Sequence, residues 1–370
     1  MLEIQKLIAL RNIPSLFSES EKNKISGVIT DPDIFAAKRQ ELLTVLDNEI
    51  YGTAPSAPKD LTVKKTDISR KISDFSGKAA VSELEISFGT DKGIFSFKAT
   101  EVVPVSEVPV PVFVFGNFRP DVPDRYYPAE EIIDSECAVV VFDFNDVTLD
   151  KDDKFSSGLA AMYERSRYSW GKIRMWAWAE SRIMDYLMTC DYADKKRIAS
   201  VGHSRLGKTA LVCAAYDDRF SLACGNNSGC SGDALTRCKK GERVKQITDN
   251  FPYWFCDNYR KYRDREDEMP FDQHFLLAAI APRRISLGAA FEDEWADPDS
   301  QYLSACAASE IYEKMGLKGF VHPDRLPMPG DRFASGEITY HLRSGKHFFS
   351  RTDWLVYIDE IKKSVVQLKN

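Results

Sequence analysis

The sequence predicts an α/β protein: a mostly parallel central sheet covered by helices on both faces. Three observations carry this. From about residue 110 onward, apolar runs of strand length alternate with stretches of helical period. Two of the runs, PVPVFVFG and CAVVVFDF, are apolar without alternation, as in strands buried on both faces. The chain has 370 residues, 44% hydrophobic and 29% charged, enough to build a core of that kind.

Taken in order, the opening MLEIQKLIALRNIPSLF lacks a basic segment followed by an apolar core and a small-residue cleavage site. It reads as an amphipathic helix and not as a signal peptide; a mature exported form would look the same, so the compartment stays open. Residues 1–75 read as a helical, Pro-punctuated extension packed on the core. Within it, DPDIFAAKRQELLTVLDNEIYG has apolar residues at helical spacing, with Asp31 or Asp33 as the cap. Residues 76–370 read as one domain, beginning with a hairpin of AAVSELEISFG and IFSFKATEVVP around TDKG. After the two apolar strands come helix KIRMWAWAESRIMDYLMT, strand RIASVG, helix GKTALVCAAY and strand FSLACGNN. A polar, aromatic-rich insertion over 231–270 breaks the pattern. It resumes with helix FDQHFLLAAIA, strand RRISLGAAFE, helix SQYLSACAASEIYEKMG, strand EITYHLRSG and helix TDWLVYIDEIKKSVVQL.

A net charge of −6 provides no basic field for nucleic acid. No apolar run approaches the roughly 20 residues of a membrane span. Eight cysteines, at 137, 190, 213, 224, 230, 238, 256 and 306, form no C-x-x-C pair and complete no zinc set with histidine. Buried free thiols are expected, with a disulfide inside the 213–256 cluster left open.

The stretch VGHSRLGKT has two incompatible readings. Gly202, Gly207, Lys208 and Thr209 match a phosphate loop, with the VVVFD strand ending at Asp143 as its magnesium strand. Such a loop wraps phosphate with consecutive backbone N–H groups, which bulky His203, Arg205 and Leu206 make difficult. The other reading is a strand, a sharp turn presenting Ser204, and a helix. A serine hydroxyl needs a base, and the base needs a carboxylate. In the α/β-hydrolase arrangement these follow in the order Ser, Asp or Glu, His, just past strand ends. RRISLGAAFEDEW supplies Glu292, Asp293 and Glu294, and EITYHLRSGKHFF supplies His347. Of the other histidines, His203 flanks the serine and is expected to point elsewhere. His274 lies in an apolar helix, His322 lies in a Pro-rich loop, and His341, inside the last strand, is the competitor. The usual elbow has glycine two residues after the serine; here Leu206 stands there and Gly207 follows.

Gly202-His203-Ser204-Arg205-Leu206-Gly207-Lys208 resembles the G-C-S-R-x-G-K elbow of the glucuronoyl esterases, carbohydrate esterase family 15, with His203 in place of the commoner Cys. Further matches follow in order: Asn226-Asn227-Ser228-Gly229, Gly241-Glu242, Trp254-Phe255-Cys256, Phe271-Asp272-Gln273-His274, Trp295-Ala296-Asp297-Pro298, and Tyr340-His341 leading to Gly345-Lys346-His347. The likeness spans roughly residues 110–360 and is closer to the bacterial branch. It implies an α/β-hydrolase three-layer sandwich and a serine-type ester hydrolase with Ser204 as nucleophile and His347 as base. Arg205 would stabilise the oxyanion, Lys208 and Glu242 would bind sugar hydroxyls, and Trp295 would wall the sugar site. Fungal members carry a catalytic Glu where Asn227 stands. Many bacterial members use the residue two before the site tryptophan, here Asp293, with Glu292 as the fallback. The substrate implied is an ester of glucuronic acid or its 4-O-methyl form, as in lignin–xylan linkages, with no metal or cofactor, no nucleic-acid or membrane partner, and a monomeric enzyme. The rivals are a serine esterase of acetylated sugars or small esters, a phosphate-loop nucleotide binder, and an inactive carbohydrate-binding relative.

Overall fold

Alternation hidden inside the apolar runs explains the layering. In the computed structural model, which describes residues 3–24, 27–29, 31–69 and 75–363, Val112 and Val114 enter one core while Phe113 and Phe115 enter a second on the opposite face. Both faces of the strand are therefore apolar, which is why the sequence shows no polar face.

The chain opens with α1 (Glu3–Leu10), α2 (Glu19–Lys24), α3 (Pro32–Leu46) and a wide helical turn, Asp47–Tyr51. Four strands follow: β1 (Thr62–Asp67), β2 (Ala79–Thr90), β3 (Gly93–Pro104) and β4 (Val110–Asn117). Next come α4 (Ala129–Asp134), β5 (Ala138–Asp143), α5 (Phe144–Val147), α6 (Lys172–Leu187), β6 (Ala193–His203), α7 (Arg205–Tyr216) and β7 (Leu222–Asn226). The remainder is α8 (Val244–Asn250), α9 (His274–Ile280), β8 (Arg284–Ala290), α10 (Pro298–Lys314), β9 (Arg332–Phe333), β10 (Ile338–Arg343) and α11 (Arg351–Ile361). Residues 364–368 of the predicted last helix lie outside the described residues.

The sheet runs β1-β2-β3-β5-β4-β6-β7-β8-β10-β9. From β5 through β10 the neighbours are parallel, while β1, β2 and β3 at one edge and β9 at the other are antiparallel. Helices α3, α6, α7, α9 and α10 cover the larger core, and α4 and α11 the smaller one. Register lines up the carboxyl ends of the central strands: His203 pairs with Asn226, Asn226 with Gly288, and Gly288 with His341. A ligand site in an open α/β sheet forms just beyond such a row.

The N-terminal stretch is not helical throughout. β1 lies within residues 1–75 and pairs with β2, extending the hairpin by one edge strand. Asp31, and not Asp33, caps α3, accepting the Asp33 N–H at 2.9 Å. Arg39 ties α3 to the core by donating to the Ala279 and Ala215 carbonyls at 3.0 and 2.7 Å, at the ends of α9 and α7. The 231–270 stretch docks on the turn at 47–51: Tyr51 donates to the Ser231 carbonyl at 3.0 Å and Tyr262 to Glu49 at 2.8 Å. All eight cysteines are free thiols. No described helix is long and apolar enough to cross a membrane.

Candidate active site

Ser204 sits between β6 and α7 with φ 58° and ψ −124°. A non-glycine residue adopts that conformation only where surrounding structure imposes it. Here the imposition comes from tight packing under the turn. A Cβ on Gly202 would strike the Leu206 carbonyl, and one on Gly207 would lie 2.7 Å from Ser228 Oγ and 2.9 Å from the Asn226 carbonyl. The close approach to the next strand thus falls at Gly207, while Leu206 is fully buried in the core. That is the physical reason for the shifted glycine.

The three expected strand ends converge. His347 Nε2 is 2.9 Å from Ser204 Oγ, and its Nδ1 is 2.6 Å from Asp293 Oδ2. With Nδ1–H donating to the carboxylate, Nε2 is free to accept the serine proton. Asp293 is buried, and the same Oδ2 also accepts Asn227 Nδ2–H at 2.6 Å. Burial alone disfavours its charge, but the hydrogen bonds from His347 and Asn227 outweigh that and hold the carboxyl below its ordinary range. Glu292 is exposed and turned away, accepting the Gly345 N–H at 3.1 Å. His341 is buried in β10 and spends Nε2 on Asp353 at 2.8 Å.

His203 does not point away from the site. Its ring lies 4.6 Å from that of His347 and stacks on Phe349, with Nδ1 bonded to Asn226 Oδ1 at 2.7 Å. Burial, then the neighbouring His347, push its pKa down to about 3, so it is a neutral floor under the base. His274 is also buried and bonds the Pro14 carbonyl at 3.0 Å; His322 is half-buried and bonds the Pro323 carbonyl at 2.9 Å.

A cavity of about 330 Å³ opens beside Ser204 and His347, lined by Arg205, Lys208, Glu242, Trp254 and Trp295 among others. Arg205 is the first residue of α7, so its N–H has no partner within the helix. Its guanidinium pairs closely with Asp150 and lies 4.8 Å from the Trp254 ring. Lys208 is buried and donates to the Ser228 carbonyl at 2.5 Å. Burial lowers its pKa, opposed by the nearby Glu242 carboxylate. Thr209 donates to the Arg205 carbonyl at 3.0 Å. Lys208 and Thr209 thus serve the helix start and the cavity wall, an arrangement unlike a phosphate loop. Half-exposed Trp295 forms the rim, its carbonyl accepting Lys239 Nζ at 2.9 Å and the Glu242 N–H at 3.1 Å.

Three contributions escaped the sequence reading. Asp150 grips Arg205 and accepts Trp254 Nε1–H at 2.7 Å; its position just beyond β5 was the available signal. Trp254, matched in sequence but given no role there, is stacked on Phe251 with centroids 3.9 Å apart and lines the cavity. Asn227, read as a lost acid, is a donor to Asp293. Among the described residues, no group of three or more His, Cys, Asp or Glu is placed to hold a metal ion.

The scaffold and its raised serine define an esterase on an α/β-hydrolase fold. Residues 86–316 match the family model for fungal glucuronyl esterases. Carbohydrate esterase MZ0003, from an unknown prokaryotic organism, is 32% identical over 365 residues, spanning 87% of this chain and 83% of that protein. The 4-O-methyl-glucuronoyl methylesterase of Phanerochaete carnosa is 27% identical over 305 residues, 78% of this chain and 70% of its own. The solved glucuronoyl esterase from Solibacter usitatus superposes with a TM-score of 0.84 at 28% identity, covering 95% of this chain and 97% of that one. The chain belongs to the glucuronoyl esterase family, carbohydrate esterase family 15.

Proposed function

We propose that this chain hydrolyses esters of glucuronic acid, including its 4-O-methyl form as found on xylan, through Ser204, His347 and Asp293. Ser204 Oγ attacks the ester carbonyl as His347 Nε2 takes its proton, and Asp293 stabilises the imidazolium. The oxyanion is met by the Arg205 N–H and guanidinium, where one such donor is typically worth about 3 kcal/mol in the transition state. Collapse breaks the bond to the alcohol, which leaves with the proton from His347. Water, deprotonated by His347, then attacks the acyl-enzyme and releases glucuronate and Ser204.

The observation that carries this reading is the pair of hydrogen bonds on His347, 2.9 Å to Ser204 and 2.6 Å to Asp293, at the mouth of a cavity with polar and aromatic walls. Lys208 and Glu242 are suited to sugar hydroxyls, and an indole face such as that of Trp295 packs on a sugar ring. The names of the relatives, esterases of 4-O-methyl-glucuronate among them, support the substrate class.

The test is release of methanol from methyl glucuronate by wild type and Ser204→Ala. Turnover by wild type, lost in the variant, is expected. Activity on an aryl acetate with none on the glucuronate ester would move the assignment to the small-ester esterases.

A further inference from the structure

Two cavities meet at the same serine. Besides the larger one, a second of about 260 Å³ is lined by Phe118, Arg119, Arg125, Tyr126 and His203, and it shares Ser204, Arg205 and His347 with the first. An ester has two sides, and the larger cavity holds the polar groups suited to a sugar. The second therefore faces the alcohol.

We propose that this smaller cavity is an alcohol-side subsite that prefers aromatic alcohols bearing an anionic substituent, with Arg125 reading the charge. The inference rests on the esterase reading above and deepens it. Its aromatic half is the Tyr126 ring, flanked by Phe348 at 5.0 Å and His203 at 5.3 Å between centroids. Such a wall stacks an aryl group and offers little to a methyl group. Its charged half is unbalanced: three arginines line the cavity and no carboxylate does. Asp124 satisfies Arg119, with bonds of 2.7 and 2.6 Å, and Asp150 satisfies Arg205. Arg125 is exposed and forms no ion pair among the described residues, while its guanidinium sits 5.2 Å from the Tyr126 ring centroid. A cation thus stands unneutralised beside the stacking surface, in a chain whose net charge is −6.

The experiment compares kcat/KM for the 4-carboxybenzyl, benzyl and 4-(trimethylammonio)benzyl esters of glucuronic acid, with the methyl ester as the reference that leaves the cavity unfilled. Exposed charge pairs are weak and screened, so the expected preference of wild type for the carboxylate over the ammonium ester is roughly threefold to tenfold at low salt, shrinking as salt is added. Arg125→Ala is expected to remove that preference and Arg125→Glu to invert it; Arg125 is exposed, so neither change disturbs the core. Identical carboxylate-to-ammonium ratios in wild type and Arg125→Ala would overturn the subsite while leaving the esterase assignment intact. No turnover of any of the four glucuronate esters by wild type would overturn both.

Discussion

At the scale of single residues, Asp293 accepts two hydrogen bonds on one oxygen, from His347 and from Asn227. Replacing that carboxylate by an amide sets Asn227 against a second amide and removes the partner that fixes the His347 tautomer. Asp293→Asn is therefore expected to lower kcat about 10³-fold or more, the scale seen when a triad acid becomes its amide. Glu292→Gln should stay within about threefold, because an exposed bond to the Gly345 N–H contributes little. Steady-state kinetics beside a thermal melt check both, and an unchanged Asp293→Asn enzyme would remove Asp293 from the proposed triad. The addresses of Ser204, His347 and the acidic run at 292–294 were legible because strand order fixes which loops meet. Asn227 was harder to read: with no structure, a neutral side chain where relatives hold an acid registers only as a loss. That its amide points at Asp293 depends on the positive φ of 47° at Asn227, which no local pattern announces.

Among elements, the loop after β5 joins three parts of the chain. Buried Lys172, at the start of α6, donates to the Leu149 carbonyl at 2.6 Å, the Lys151 carbonyl at 2.8 Å and Asp153 at 2.8 Å, pinning the loop that presents Asp150. Asp150 then holds Arg205 at the head of α7 and Trp254 in the insertion. Asp150→Asn keeps the shape and the bond from Trp254 but frees the guanidinium. Its expected outcome is a loss in kcat on the order of tenfold, with Tm little moved and KM little changed. A loss confined to KM would place Arg205 in ground-state binding instead. The regular elements were readable from periodicity; the architecture of the insertion was not. Its position is set by buried polar bonds to Tyr51, Glu49 and Asp272, partners far away in sequence. β1 was missed for a related reason: an exposed edge strand reading TVKKTD has no apolar face to signal itself.

Across the whole molecule, stability should carry the mark of one acid sealed inside the larger layer. Glu180 is fully buried and bonded by Ser200, and burial pushes its pKa from 4.5 to about 8. Between those values the unfolded chain releases a proton that the folded chain keeps, so folding stability falls as pH rises, by about 1.4 kcal/mol per pH unit. Below 4.5 both states hold the proton, and above about 8 both have lost it. Glu180→Gln removes this dependence. Its Tm relative to wild type should therefore climb between pH 5 and pH 8, and a constant gap would mean the buried acid is already ionised. The layered fold was foreseeable because every central strand is apolar on both faces; a lone buried acid in α6 was not, since its sequence neighbours are those of any amphipathic helix. The pairing of two cavities at one serine has a further consequence for the proposed cycle. The sugar need not move when the alcohol departs, so the vacated side becomes the doorway for whatever attacks next. Water normally enters there, but another alcohol fits the same opening, and the acyl group would then be handed on to a new ester instead of being released as the free acid.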